Sequence, residues 1–140
     1  MRGYLLDTHI LIWLLNDSKK LNKNIREDIE YFQNPYFVSV ETLREIVILQ
    51  SNKKIKLDYD MDKITAYLQK ILVSVLAIET NHIKELEKMP IINITGKQHE
   101  DPFDRMLIAQ AITNKLTIIS SDSKFPFYKN YGLKLLVNET

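Results

Sequence analysis

The sequence predicts a three-layer α/β/α sandwich built on a parallel sheet of about five strands, and three observations carry that expectation. Short apolar or β-branched runs recur along the chain, at Tyr4-Leu5-Leu6, Tyr36-Phe37-Val38, Val73 to Ile78, Leu116 to Ile119 and Lys134 to Val137; near-continuous apolar runs of this length suit strands covered on both faces. The segments between them repeat apolar residues at helical spacing, and the resulting order, close to βααβααβαβ, implies a parallel sheet with helices on both sides. The 140 residues suit one domain with a full core, spanning 1–140, and leave little room for two.

The first run ends at Asp7, and Thr8 to Leu15 is apolar on most faces, which reads as a buried helix that Asp7 or Thr8 can cap. His9 beside it reads as a structural group rather than a ligand. Asn16 to Asn24 is polar and lysine-rich, a loop, after which Ile25, Ile29 and Phe32 mark an amphipathic helix closing at Asn34-Pro35, with Lys19, Lys20, Lys23 and Arg26 in solvent. Following the second strand, Ser39 opens a helix that runs to about Gln50. Leu43, Ile46, Val47 and Gln50 form one stripe of it, while Glu45 shares another face with Ile48 and Leu49. A helix apolar on two faces buries both, which also suggests a homodimer or partner surface. Glu45 is thereby flanked by packing surface, where a carboxylate needs a cation or a metal. Glu41 lacks such neighbours and pairs with Arg44 or faces water. Ser51 to Asp62 carries Lys53, Lys54 and Lys56, an exposed connection able to touch a polyanion. Ile64, Tyr67, Leu68, Ile71 and Leu72 mark the next helix, the third strand follows, Thr80 caps a helix through Lys88, and Met89 to Glu100 reads as irregular.

The stretch Asp101 to Asp122 organises the rest. Pro102 fixes its own φ near the helical value and keeps Asp101 out of the helical region, so a helix opens there. Leu107, Ile108, Ala111 and Ile112 recur at helical spacing, and counting back three and four residues reaches Asp104, which points inward along the same stripe. The strand Leu116 to Ile119 then delivers Ser120, Ser121 and Asp122 to its carboxyl end, the edge where ligand sites gather in open α/β sheets. Beyond it, Phe125, Phe127 and Tyr128 suit a short turn or helix, and Lys134 to Val137 a last edge strand.

Composition narrows the function classes. With 19 basic and 18 acidic residues the net charge is +1, so no global field argues for nucleic acid, although a local patch remains open. The absence of Cys excludes disulfides and thiolate metal sites and fits a cytoplasmic protein. The apolar N-terminus is interrupted by Asp7 and His9 and carries no small-residue cleavage site, so neither a signal peptide nor a membrane span is expected.

Asp7, Asp104 and Asp122 all reach the carboxyl edge of the expected sheet, and Glu45 comes from a helix that starts there. Four carboxylates on one edge repel one another unless some stay protonated or a hard divalent cation, Mg²⁺ or Mn²⁺, neutralises them. Acids and hydroxyls without an activated nucleophile suit attack by water on a phosphodiester. The segments L-L-D-T-H, S-V-E-T-L-R-E-I, D-P-F-D-R-M-L-I-A-Q-A and I-I-S-S-D-S-K-F, in this order along the whole chain, resemble PIN-domain ribonucleases, specifically the VapC-like toxins of bacterial toxin–antitoxin pairs. That resemblance implies a metal-dependent endoribonuclease with an RNA substrate and a cognate antitoxin protein. It places catalytic and metal-holding acids at Asp7, Glu45, Asp104 and Asp122 and an active-site hydroxyl at Ser120, and it selects Glu45 over Glu41. Asp101, Thr8 and Ser39 read as accessory, and Lys53 and Lys54 as substrate-binding. The chain departs from the family pattern at Arg44, Leu49 and Glu100, positions that bear on substrate and partner contacts rather than on the acids.

Two other readings remain at this level. One is a different α/β phosphate enzyme, but a phosphatase of the aspartate-nucleophile class has a second Asp where this chain has His9, and a receiver domain has its acceptor Asp where this chain has Ile78-Glu79. The other is a PIN scaffold retained for binding alone.

Overall fold

The computed structural model describes residues 3–31 and 34–139. Its elements are β1 (Tyr4–Leu6), α1 (Thr8–Leu15), α2 (Lys23–Glu30), β2 (Tyr36–Ser39), α3 (Val40–Ser51), α4 (Met61–Lys70), β3 (Val73–Leu76), α5 (Thr80–Lys88), β4 (Asn93–Ile94), β5 (Lys97–Gln98), α6 (Pro102–Asn114), β6 (Thr117–Ser120), a 3-10 helix (Phe125–Tyr131) and β7 (Lys134–Val137). Five strands form a parallel sheet in the order β3-β2-β1-β6-β7. The chain leaves β1 for β2 and β3 on one side, then returns to β6 and β7 on the other. The β1/β6 boundary is therefore a topological switch point, and a crevice opens above the carboxyl ends of these two strands.

Successive side chains of a strand point to opposite faces, and here they divide the apolar residues into two cores. Leu6, Tyr36, Val38 and Ile119 join Ile10, Leu14, Leu43, Ile46, Ile64 and Leu68 on the face covered by α1 to α4. Leu5 and Ile118 join Met89, Leu107, Ala111, Phe125 and Tyr128 on the face covered by α6 and the 3-10 helix. The three expected layers are present. Among the described residues no helix is long and apolar enough to cross a membrane.

Several expected boundaries move. Helix α2 starts at Lys23 because the Asn22 side chain accepts from the backbone N–H groups of Asn24 and Ile25, and it stops at Glu30, well before Asn34-Pro35; Phe32 lies outside the described residues. The third strand stops at Leu76, whose partner Ser39 is the last residue of β2. Glu79, not Thr80, is the N-cap of α5. Its backbone N–H donates to His82 Nδ1, and His82 Nε2 lies 2.7 Å from Asn114 Oδ1, so a buried histidine ties α5 to the end of α6. Met89 to Glu100 is not wholly irregular. β4 and β5 pair as a small antiparallel hairpin whose turn residues Thr95 and Gly96 both have positive φ, as the twist-compatible hairpin turn requires. Two-residue strands are too short to show a period, which is why the pattern missed them. Val47, expected on the buried stripe of α3, is 48% exposed.

Helix α6 ends at Lys115, which takes the left-handed conformation (φ 57°) with an exposed side chain. An L-residue there carries a steric penalty that glycine does not. Lys115→Gly should therefore stabilise the fold by roughly 0.5–1 kcal/mol, seen as a rise of a few degrees in Tm, since the relief exceeds the added freedom of the unfolded chain.

Candidate active site

Asp7 is the residue immediately after β1, and its backbone N–H still bonds to Ile119 O of β6 at 3.0 Å, so the sheet itself sets its position. Its carboxylate is buried. One oxygen accepts from Thr8 N at 2.7 Å, which makes Asp7 the N-cap of α1, and the other accepts from the Ser120 hydroxyl at 2.7 Å. Ser120 Oγ in turn accepts from Asp122 N at 2.9 Å, turning the chain at the end of β6. Capping and site membership are thus both true of Asp7.

On α3, Glu45 reaches the same crevice, where the Thr8 hydroxyl donates to its Oε1 at 2.6 Å and lies 3.3 Å from the Thr42 hydroxyl. Ser39 is buried and caps α3 by accepting from Glu41 N. Glu41 is buried too, but Arg44 occupies it with contacts of 2.6 and 2.8 Å, and the Arg44 guanidinium also lies 4.8 Å over the Phe103 ring of α6. Among the described residues Glu45, unlike Glu41, has no basic partner at ion-pair distance. Asp101 caps α6 by accepting from Phe103 N and Asp104 N, and Asp104, one turn in, is buried with His99 Nε2 3.2 Å from its Oδ2. Asp122 accepts from Lys124 N, with Lys124 Nζ 3.8 Å from its second oxygen.

The acids sense one another. Burial raises the Asp104 carboxyl to about 8, with Asp101, Asp7, Asp122 and Glu45 each adding to the rise. Burial also raises Asp7 and Glu45, against the opposing effect of their hydroxyl donors Ser120 and Thr8. His99 moves the other way, lowered chiefly by burial, so its contact with Asp104 is a hydrogen bond from a neutral ring rather than an ion pair.

Two small cavities flank the cluster. One of about 210 Å³ is lined by Asp7, His9, Trp13, Ser121 and Asp122. The other, about 290 Å³, is lined by residues of the β4–β5 hairpin with His99, Asp101, Lys97 and Lys124. A larger cleft of about 580 Å³ around Asp17 to Arg26 has Asp17 as the one acid among the described residues of its lining. His9, expected as a structural group, is instead exposed at the cavity rim, its ring 6.1 Å from that of Trp13. Lys53 and Lys54 are not brought to the cluster: they follow the far end of α3, roughly 18 Å along the helix from its start at the acid edge. Lys97, Lys124 and His99 were missed by sequence reasoning. His99 follows β5, in the segment that gave no periodic signal.

The donor set suits a hard divalent cation, being carboxylate and hydroxyl oxygen, and burial together with the neighbouring acids keeps Asp104 protonated to about pH 8. Among the described residues, however, no three carboxylate or imidazole groups stand close enough to grip one ion. Asp7 and Glu45 are held by hydroxyls and Asp104 by His99, so the acids are gathered without closing on a common point.

A pH dependence follows. A folded-state acid pKa above the unfolded value means the native state holds more protons, so stability falls as pH rises through the interval. His99, lowered in the fold, acts oppositely, but only below its ordinary value of 6.5. Between pH 6.5 and 8 the acids act alone, and each unit there costs up to about 1.4 kcal/mol for one carboxyl. In chelator, Tm should drop by several degrees from pH 6.5 to 8, and Asp104→Asn should flatten the drop. Differential scanning calorimetry checks it, and a flat wild-type profile would contradict it.

Comparison with known proteins agrees with this architecture. The chain is similar over 98% of its length to a chain in the crystal structure of VapBC2 from Rickettsia felis bound to a DNA fragment from their promoter, with a TM-score of 0.63, 18% identity and 99% of that chain covered. It is likewise similar to a chain in the crystal structure of DNA-bound VapBC from Salmonella typhimurium, with a TM-score of 0.60, 17% identity and 98% of each chain covered. At these identities the likeness establishes the fold. No curated protein matches the sequence. The PIN domain model matches residues 4–131, nearly the whole chain, and the protein belongs to the PIN domain family.

Proposed function

We propose that this protein is a metal-dependent endoribonuclease and the toxin of a bacterial toxin–antitoxin pair, acting in the cytoplasm and neutralised by a cognate antitoxin protein. The observation that carries the reading is the convergence of Asp7, Glu45, Asp104 and Asp122 on the β1/β6 crevice, with Asp104 held at about 8 by burial and by the other acids. The matches to chains of VapBC complexes support the toxin assignment. Mg²⁺ or Mn²⁺ held by Asp7, Asp104 and Asp122 with Glu45 would make bound water acidic enough to attack a phosphodiester and would offset the charge on the phosphate.

This chain's own residues supply the rest. Thr8 and Ser120 orient Glu45 and Asp7 through their hydroxyls. Asp101 starts α6 and so sets where Asp104 stands. Lys97 and Lys124 line the cavity beside the acids, which supports a part for them in meeting the RNA backbone, whereas Lys53 and Lys54 would contact RNA that runs beyond the crevice. Val40 and Val47 remain exposed on α3, which supports self-association through that helix.

The pure protein should cleave single-stranded or loop RNA when Mn²⁺ is present, stop in EDTA, and leave a 5′ phosphate, because water is the nucleophile the site provides. Chelator-insensitive cutting would refute the proposal. Asp104→Asn should fold normally yet lose more than about 100-fold in cleavage rate, since even changes one contact removed from a metal cost about 10- to 100-fold. In a bacterial host, expression should be toxic and Glu45→Ala should relieve the toxicity. Glu41→Ala should not, because it removes only a partner of Arg44. Colony counts under induced expression separate the two variants.

A further inference from the structure

Asp104 is held by a neighbour to which the proposed reaction assigns no part. The His99 side chain is buried between the β4–β5 hairpin and the start of α6, with Nε2 3.2 Å from Asp104 Oδ2 and Nδ1 2.6 Å from the Tyr128 hydroxyl. The Tyr128 ring, fully buried in the 3-10 helix, meets the imidazole edge-on at 5.5 Å. Arg105 Nη1 reaches the same hydroxyl at 3.3 Å, while its guanidinium also donates to Pro90 O and Met89 O.

A guanidinium only donates, so the Tyr128 oxygen accepts from Arg105. One tautomer of His99 satisfies the whole series: Tyr128 donates its proton to Nδ1, and the remaining imidazole proton sits on Nε2 facing Asp104 Oδ2. Burying three polar side chains in series is costly unless every member is satisfied, and an apolar residue would fill the same space at lower cost. The series ends on an acid that its neighbours already destabilise, rather than on a backbone group.

We propose that His99, oriented by Tyr128, is a positioning residue for Asp104. Through its contact with Oδ2 it orients the Asp104 carboxylate that would hold the divalent cation. The inference rests on the metal-dependent reading above, and the test separates the two.

Mn²⁺ affinity is read on the full chain from the loss of the free-Mn²⁺ electron paramagnetic resonance signal, with circular dichroism confirming the fold. His99→Leu should weaken Mn²⁺ binding about 10- to 100-fold, the range for lost partners of metal-holding groups. His99→Gln, whose amide nitrogen reaches the place of Nε2, should restore most of the affinity, and Tyr128→Phe should weaken it several-fold. Wild-type affinity in His99→Leu, or a Gln variant no better than the Leu variant, would overturn the proposal. If His99→Leu does not fold, Tyr128→Phe decides, and wild-type affinity there overturns it. A wild type that neither binds Mn²⁺ nor cuts RNA sinks the proposed function and this inference together. A wild type that does both while the variants bind equally well sinks this inference alone.

Discussion

Repulsion among carboxylates at one sheet edge is the constraint to which the surrounding structure answers. Asp7, Glu45, Asp101, Asp104 and Asp122 all raise or sense one another's charge, and three of them are pushed toward the protonated state by burial. A fold selected for stability alone has no reason to assemble such a cluster, because each buried acid left without a cation destabilises it. Burial in the scaffold beneath it offsets that cost: β1 lies at the centre of the sheet, with apolar cores on both faces.

Three of the acids are also tied down by a donor of modest strength, while Asp122 has Lys124 Nζ 3.8 Å away. Thr8, Ser120 and His99 hold Glu45, Asp7 and Asp104, and none of the three brings a full positive charge at neutral pH. Neutral donors orient a carboxylate without satisfying its charge. Glu41 shows the contrast, since Arg44 pairs with it directly although it is about as buried as Asp7 and Asp104. The crevice therefore keeps unspent negative charge, which is the property a hard cation recognises.

Support for the edge extends further through Asn138, which is buried just past β7. Its backbone N–H bonds to Ser120 O, its amide donates to Lys20 O and Ser121 Oγ, and its carbonyl accepts from Asn22 N. One amide thus joins the loop after α1 to the turn that carries Ser120 and Asp122. Satisfying all of its bonds makes this buried polar group a locator rather than a liability.

Much of this was legible along the chain. Runs that end in acids, at Leu6-Asp7 and at Ser120 to Asp122, and an acid one turn after Pro102, marked the edge and three of the four carboxylates because strand ends and helix starts follow from local sequence and period. The choice of Glu45 over Glu41 was only favoured by periodicity, and its physical ground, the capture of Glu41 by Arg44, is a side-chain contact. Lys53 and Lys54 were placed by charge alone, and the length of α3 carried them off the edge. Tyr128 was legible only as part of a short turn or helix, and His99, Lys97, Lys124 and Asn138 gave no signal, because each acts through partners distant in the chain or inside short irregular segments. The sequence by itself determined which acids reach the edge, since strand and helix periods are local. Only the tertiary structure decided what holds each acid, since a hydrogen bond between residues 113 apart, such as Ser120 to Asp7, leaves no trace in spacing.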